Sequence, residues 1–89
     1  MSIENILSSR VRIKILKILM SMGELNISEL ARRLNINYST ARQHLQILED
    51  AGMIKQKTFG KIRLYRLNEQ SPRVRALQNL IEVWEHQNK

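Results

Sequence analysis

The run ISELARRLNINYSTARQHLQILEDAGMIKQKTFGKIRLYRL, residues 27–67, contains two short helical patterns around a tight connection, followed by a glycine stop and a basic pair of strands. Ser28 is placed to cap the first helix, with Leu30, Ala31 and Leu34 turned inward and Glu29, Arg32 and Arg33 outward. Asn35-Ile36-Asn37 makes the connection, because asparagine tolerates left-handed backbone angles and also caps helices. From Tyr38 to Ala51 the inward stripe is Ala41, Leu45 and Leu48, and Gly52 ends the helix. Tyr38, Ser39, Thr40, Arg42, Gln43 and Gln46 are then left for an outside partner. Such side chains match base edges: Arg pairs with guanine, Gln with adenine, and Ser or Thr with either.

Two strands are expected over Met53–Thr58 and Ile62–Leu67, about a turn at Phe59-Gly60-Lys61. Ile54, Tyr65 and Leu67 pin this hairpin to the core, while Lys55, Lys57, Lys61 and Arg63 line its outer side and tip. The fold class is mainly α with a small β-hairpin (α+β), in the order α-α-α-β-β-α: a winged helix-turn-helix. In that architecture the second helix of the turn enters the major groove of DNA and the hairpin lies along the backbone or minor groove. Arg33, on the supporting helix, can approach a phosphate as well.

Working outward, Ser9–Met22 carries apolar residues on two sides of one helix. Val11, Ile15, Ile18, Leu19 and Met22 form one stripe, and Ile13, Leu16 and Met20 form another. A helix covering only its own domain needs a single stripe, so the second implies a further helix. Ser8 or Ser9 caps the start and Gly23 supplies the stop, while Ile3, Ile6 and Leu7 either extend the helix or form a separate turn. Pro72 opens a last helix, on which Val74, Leu77, Ile81 and Trp84 recur at coiled-coil spacing with Leu80 beside them. Residues 1–89 are read as one domain, with 8–22 and 72–87 as dimerisation helices. The seam of the last helix is expected to pack on the second stripe of the first, and intra-chain packing plus a two-fold copy of the same pair buries both, which makes a homodimer the economical arrangement with Ile13, Leu16, Met20, Val74, Leu77, Leu80, Ile81 and Trp84 as its interface residues.

The charge is placed where these elements need it. Fifteen Lys and Arg against eight acids give a formal charge of +7, and Leu30–Leu48 and Gly52–Asn68 contain no Asp or Glu. A basic surface of this kind favours a polyanion. There is no cysteine, which excludes disulfides and thiolate metal ligands. MSIENILSSR lacks the pattern of a secretory leader, and no run approaches the ~18 apolar residues of a membrane span, so a cytoplasmic, nucleoid-associated protein with no membrane partner is expected.

The stretch from Ser9 to Leu67 resembles the ArsR-type winged-helix regulators, the arsenic-repressor-like family, and more broadly small archaeal winged-helix DNA-binding proteins. The residues that carry the resemblance are Arg12-Ile13-Lys14-Ile15-Leu16-Lys17-Ile18-Leu19, Ser28-Glu29-Leu30-Ala31, Asn37-Tyr38-Ser39-Thr40-Ala41-Arg42-Gln43-His44-Leu45, Leu48-Glu49-Asp50-Ala51-Gly52-Met53-Ile54 and Leu64-Tyr65-Arg66-Leu67. It implies a dimeric transcriptional regulator, a repressor on a palindromic operator, dimerised through its first and last helices. The family's metal-sensing thiolates are missing, since the helix before the recognition helix reads ISELARR. A site on the last helix would have only Glu82, Glu85 and His86 to draw on. No metal, cofactor or small-molecule ligand is therefore expected.

Rival classes remain at this level. The same surfaces could belong to a protein-interaction module, or to a non-specific chromatin-like DNA binder. His44 either touches a phosphate or hydrogen-bonds within the fold. Catalytic residues are not expected, because no nucleophile-base pair, phosphate-binding glycine loop or paired carboxylate can be assembled from these residues.

Overall fold

Ser9 turns the chain into its first core helix: its hydroxyl accepts the Arg12 amide hydrogen at 3.1 Å, satisfying a donor that the first helical turn leaves free. The computed structural model describes residues 2–87. The elements are α1 (Ile3–Leu7), α2 (Arg10–Met22), β1 (Glu24–Asn26), α3 (Ile27–Leu34), α4 (Tyr38–Asp50), β2 (Ile54–Phe59), β3 (Ile62–Leu67) and α5 (Pro72–Gln87). The mainly helical α+β winged helix-turn-helix is thus as the sequence implies, with α1 as a separate short helix rather than an extension of α2.

Around the start of α3 two details differ from expectation. The segment after Gly23 is a third strand, β1, which pairs antiparallel with β3 and makes the sheet order β1-β3-β2. Asn26, the last residue of that strand, caps α3 in place of Ser28. Its Oδ1 accepts the Glu29 amide hydrogen at 2.8 Å, and the helix begins one residue before Ser28, at Ile27. One residue therefore ends a strand and starts a helix.

The connection between α3 and α4 follows the asparagine logic. Asn35 adopts a left-handed φ of 57°, and Asn37 Oδ1 accepts the Thr40 amide hydrogen at 2.8 Å. In the hairpin, Phe59 pairs directly with Ile62, so the turn is the two residues Gly60-Lys61 and not three. Gly60 holds φ at 59°, as the first central position of a II′ hairpin turn requires.

Turn length decides which way the cations face. With a two-residue turn, Ile54, Gln56, Thr58, Arg63, Tyr65 and Leu67 share the sheet face that reaches the core, whereas Lys55, Lys57, Phe59, Ile62, Leu64 and Arg66 share the other. Lys57 and Arg63, expected on one outer side, are on opposite faces.

The core gathers Ile15, Leu16, Leu19, Leu30, Leu45, Leu48, Ile54 and Val74, all nearly inaccessible to solvent, with Ile6, Met53, Tyr65 and Leu67 around them. Leu16 and Val74 were expected at an inter-subunit seam, but each is only 2% exposed within the single chain. Leu16, Met20, Val74, Leu77 and Ile81 border one narrow seam, so the second stripe of α2 already finds its partner in α5 of the same chain. Leu80 and Trp84 stay outside, half and more exposed.

Candidate nucleic-acid interface

Capping by Asn37 fixes the first turn of α4, and the burial of Ala41, Leu45 and Leu48 fixes its rotation. Ser39, Arg42, Gln43 and Gln46 consequently face solvent, as does Tyr38 at the helix start. Thr40 is the exception among the expected reading residues. It is half-buried and lies one turn before His44 on the flank facing away from the groove.

Between α4 and the wing runs a groove of about 480 Å³. Tyr38, Arg42 and Gln46 form its helical wall, Gln56, Lys61, Ile62 and Arg63 its hairpin wall, and Asn26, Ile27 and Ser28 close one end over Tyr65. Three cations and no carboxylate line it. Gln46 Nε2 donates to Asp50 Oδ1 at 2.8 Å, one helical turn on, which leaves its carbonyl oxygen free to accept a hydrogen bond. Gln56 Nε2 donates to Glu49 Oε1 at 2.8 Å and so ties the wing to α4.

Tyr65 forms the floor. Burial, and then the nearby Glu49 carboxylate, push its phenol above the usual value, while the Arg63 and Arg42 guanidiniums act in the opposite direction. Tyr65 is therefore a neutral hydroxyl in a site whose formal charge is positive.

The remaining expected backbone contacts are engaged within the protein. Arg33 Nε donates to Glu29 Oε1 at 3.0 Å, and Arg32 holds the same carboxylate. Those bonds, led by that from Arg32, keep the Glu29 carboxyl below its ordinary range. Lys55 Nζ donates to Gln70 Oε1 at 3.3 Å. Lys57 lies 3.7 Å from Glu24 Oε1 on the face away from the core. Of the cations named from sequence, Arg42, Lys61 and Arg63 are the ones brought together.

Gln56 and Asn26 were not singled out from sequence, and Ser28 was read there only as a helix cap, not as part of a groove. Alternation from buried Ile54 does signal that Gln56 shares the core-side face. No local pattern signals that β1 brings Asn26 and Ser28 to the groove.

A helix-turn-helix and a basic ribbon that share one cationic groove define a winged-helix regulator of transcription. Residues 9–56 match the family model described as bacterial regulatory protein, arsR family. The chain belongs to that family, whose members are transcriptional regulators and not enzymes. It is 33% identical over 64 residues to the cadmium resistance transcriptional regulatory protein CadC homolog of Staphylococcus aureus; the match takes in 72% of this chain and 53% of the relative, so the chain spans about half the length of that curated protein.

Solved structures agree. The transcriptional repressor BigR from Xylella fastidiosa superposes with a TM-score of 0.80 at 27% identity, covering 96% of this chain and 82% of that one. The homodimeric winged helix-turn-helix DNA-binding domain of Mb0332 from Mycobacterium bovis, a possible ArsR-family regulator, gives 0.76 at 26% identity, covering 94% and 75%.

Among the described residues no group of three or more His, Asp or Glu is gathered in one place. Glu85 pairs with Lys17 of α2. No helix among the described residues is long and apolar enough to cross a membrane.

Proposed function

We propose that this protein is a homodimeric, sequence-specific repressor that occupies an operator in double-stranded DNA. The observation that carries the reading is the cationic groove between α4 and the wing, in which Arg42, Gln46, Lys61 and Arg63 face the same opening. In a dimer, two copies of α4 enter successive major grooves about one turn, ~34 Å, apart. Ser39, Arg42, Gln43 and Gln46 contact base edges. Lys61 and Arg63 hold phosphates, and Lys55, Lys57 and Arg33 add to the positive field at longer range.

The second copy is placed on the apolar face that α1 and α5 leave uncovered. Ile3, Leu7 and Leu80 are substantially exposed and border an apolar cleft of about 450 Å³, and Val83 and Trp84, three and four residues on from Leu80 along α5, are exposed as well. Five large exposed apolar side chains on α1 and α5 of so small a protein favour a self-complementary interface. The homodimeric state of the Mycobacterium bovis domain supports the same arrangement. On this reading 8–22 supports the interface from beneath, and α1 and α5 make it.

Selection from a random duplex pool, with complex mass measured by light scattering, tests both halves together. A palindromic consensus bound by two chains is the expected result. Equal binding of all duplexes would instead indicate a chromatin-like packager, and no duplex binding at moderate salt an interaction module. With three or four ionic contacts per subunit the dimer should show a log-log salt slope of about −5 to −7.

A further inference from the structure

The tip of the wing exposes two large apolar side chains, Phe59 at 62% and Ile62 at 54%. They are direct cross-strand partners, so both stand on one face beside the Gly60-Lys61 turn. Cations lie about them: Lys57 Nζ is 5.3 Å from the centre of the Phe59 ring, Lys61 stands in the turn between the two, and Arg63 is on the opposite face of the ribbon next to Ile62. From Gly52 to Asn68 there is no acid. Ile62 also lines the groove that holds Arg42, which makes the tip continuous with the proposed reading surface.

An apolar spot ringed by positive charge is complementary to a surface in which apolar walls lie between rows of anions. The minor groove of DNA has that form, with phosphates along both rims, sugar carbons on its walls and a width of about 6 Å. Apolar side chains are known occupants of such grooves. Gly60, with no side chain at the apex, keeps the tip narrow enough to approach. An anionic bilayer shares the charge, but the continuity between tip and groove favours the nucleic acid.

We propose that Phe59 and Ile62 form an apolar tooth that seats against the deoxyribose walls of the minor groove flanking the site read by α4, while Lys61 at the turn and, from the opposite face of the ribbon, Arg63 meet the bordering phosphates. This rests on the DNA-binding reading above and adds to it a contact that depends on groove shape, not on charge. A sequence preference at positions no polar side chain touches follows from it, because groove width varies with sequence.

The test compares the wild-type chain with F59A, I62A and K61A on the duplex pool enriched by the wild type, using hydroxyl-radical footprinting, salt titration and thermal melting. F59A is expected to bind about tenfold more weakly and to lose sugar protection at the flanking minor groove, with its salt slope unchanged. K61A is expected to keep that protection and to lower the slope by about one. Unaltered affinity and footprint in F59A and I62A would overturn the tooth, and a drop in melting temperature alone would show the pair to be only a hairpin clasp. Wild-type binding to phosphatidylglycerol vesicles that F59A abolishes would overturn it in favour of a membrane contact. Failure of the wild type to retain any duplex would overturn the underlying DNA reading instead.

Discussion

The Arg12 guanidinium lies 3.1 Å from His44 Nδ1 and also donates to the Asn5 carbonyl oxygen, from Nε at 2.9 Å and Nη2 at 2.6 Å. One side chain thus joins α1, at the proposed dimer face, to α4, at the proposed reading face. Arg12 has no lone pair to offer, so His44 accepts through Nδ1 and must be neutral.

That requirement gives the protein a pH dependence of definite sign. Burial, and then the Arg12 charge, lower the His44 pKa from its ordinary 6.5. The unfolded chain then binds a proton that the folded one resists, so the stability from this contact is complete above about pH 6.5 and is lost as pH falls through the depressed value. Urea unfolding should show a loss between pH 7.5 and pH 5.5 that H44Q lacks. Glu29, whose carboxyl is also depressed, weakens the fold only at more acidic pH, below its ordinary 4.5.

Arg42 and Lys61 line one groove but should fail differently. R42A should cost about 1 to 3 kcal/mol on the preferred operator and relax discrimination at one base per half-site. K61A should weaken every duplex alike. Fluorescence titration over a panel of single-base operator variants separates the two, and an unchanged panel with R42A would remove Arg42 from base reading.

Asn37 and Asn35 can be tested without DNA. N37A removes the acceptor for the Thr40 amide and should lower unfolding free energy by about 1 kcal/mol. Asn35 holds a φ of 57°, so N35G should be tolerated and N35V should destabilise by more. Urea midpoints report both.

Core and interface respond to different measurements. Leu16, 2% exposed, should cost about 2 to 5 kcal/mol when cut to Ala. Trp84, 69% exposed, should leave thermal stability at low protein concentration unchanged when cut to Ala, yet raise the dimer dissociation constant in sedimentation experiments. A W84A chain that dimerises normally would place the interface elsewhere.

The helices, the left-handed Asn35 and the core of the hairpin were legible because each follows from local periodicity or capping chemistry. β1 was not. Glu24-Leu25-Asn26 is too short to show alternation, and its extended form comes from pairing Leu25 with Tyr65, forty residues away. The capping of α3 by Asn26 was missed for the same reason. The facing of the wing cations failed on a single residue. A three-residue turn pairs Lys57 with Arg63 on one side, whereas the two-residue turn pairs Lys57 with Leu64 and Thr58 with Arg63. The packing of α5 on the second stripe of α2 was legible from its spacing, but spacing does not show how completely the pair closes within one chain, and Leu16 and Val74, each 2% exposed, are left with nothing to offer a second copy.

β1 has a mechanical consequence. Asn26 both ends the strand paired to the middle of the sheet and caps α3, so the root of the wing and the helix pair are clamped together before any nucleic acid arrives. The separation between reading helix and ribbon is then built in at synthesis. Little ordering entropy is left to be lost on docking, and bend or groove width in the duplex must adjust to the protein, which acts as a rigid gauge.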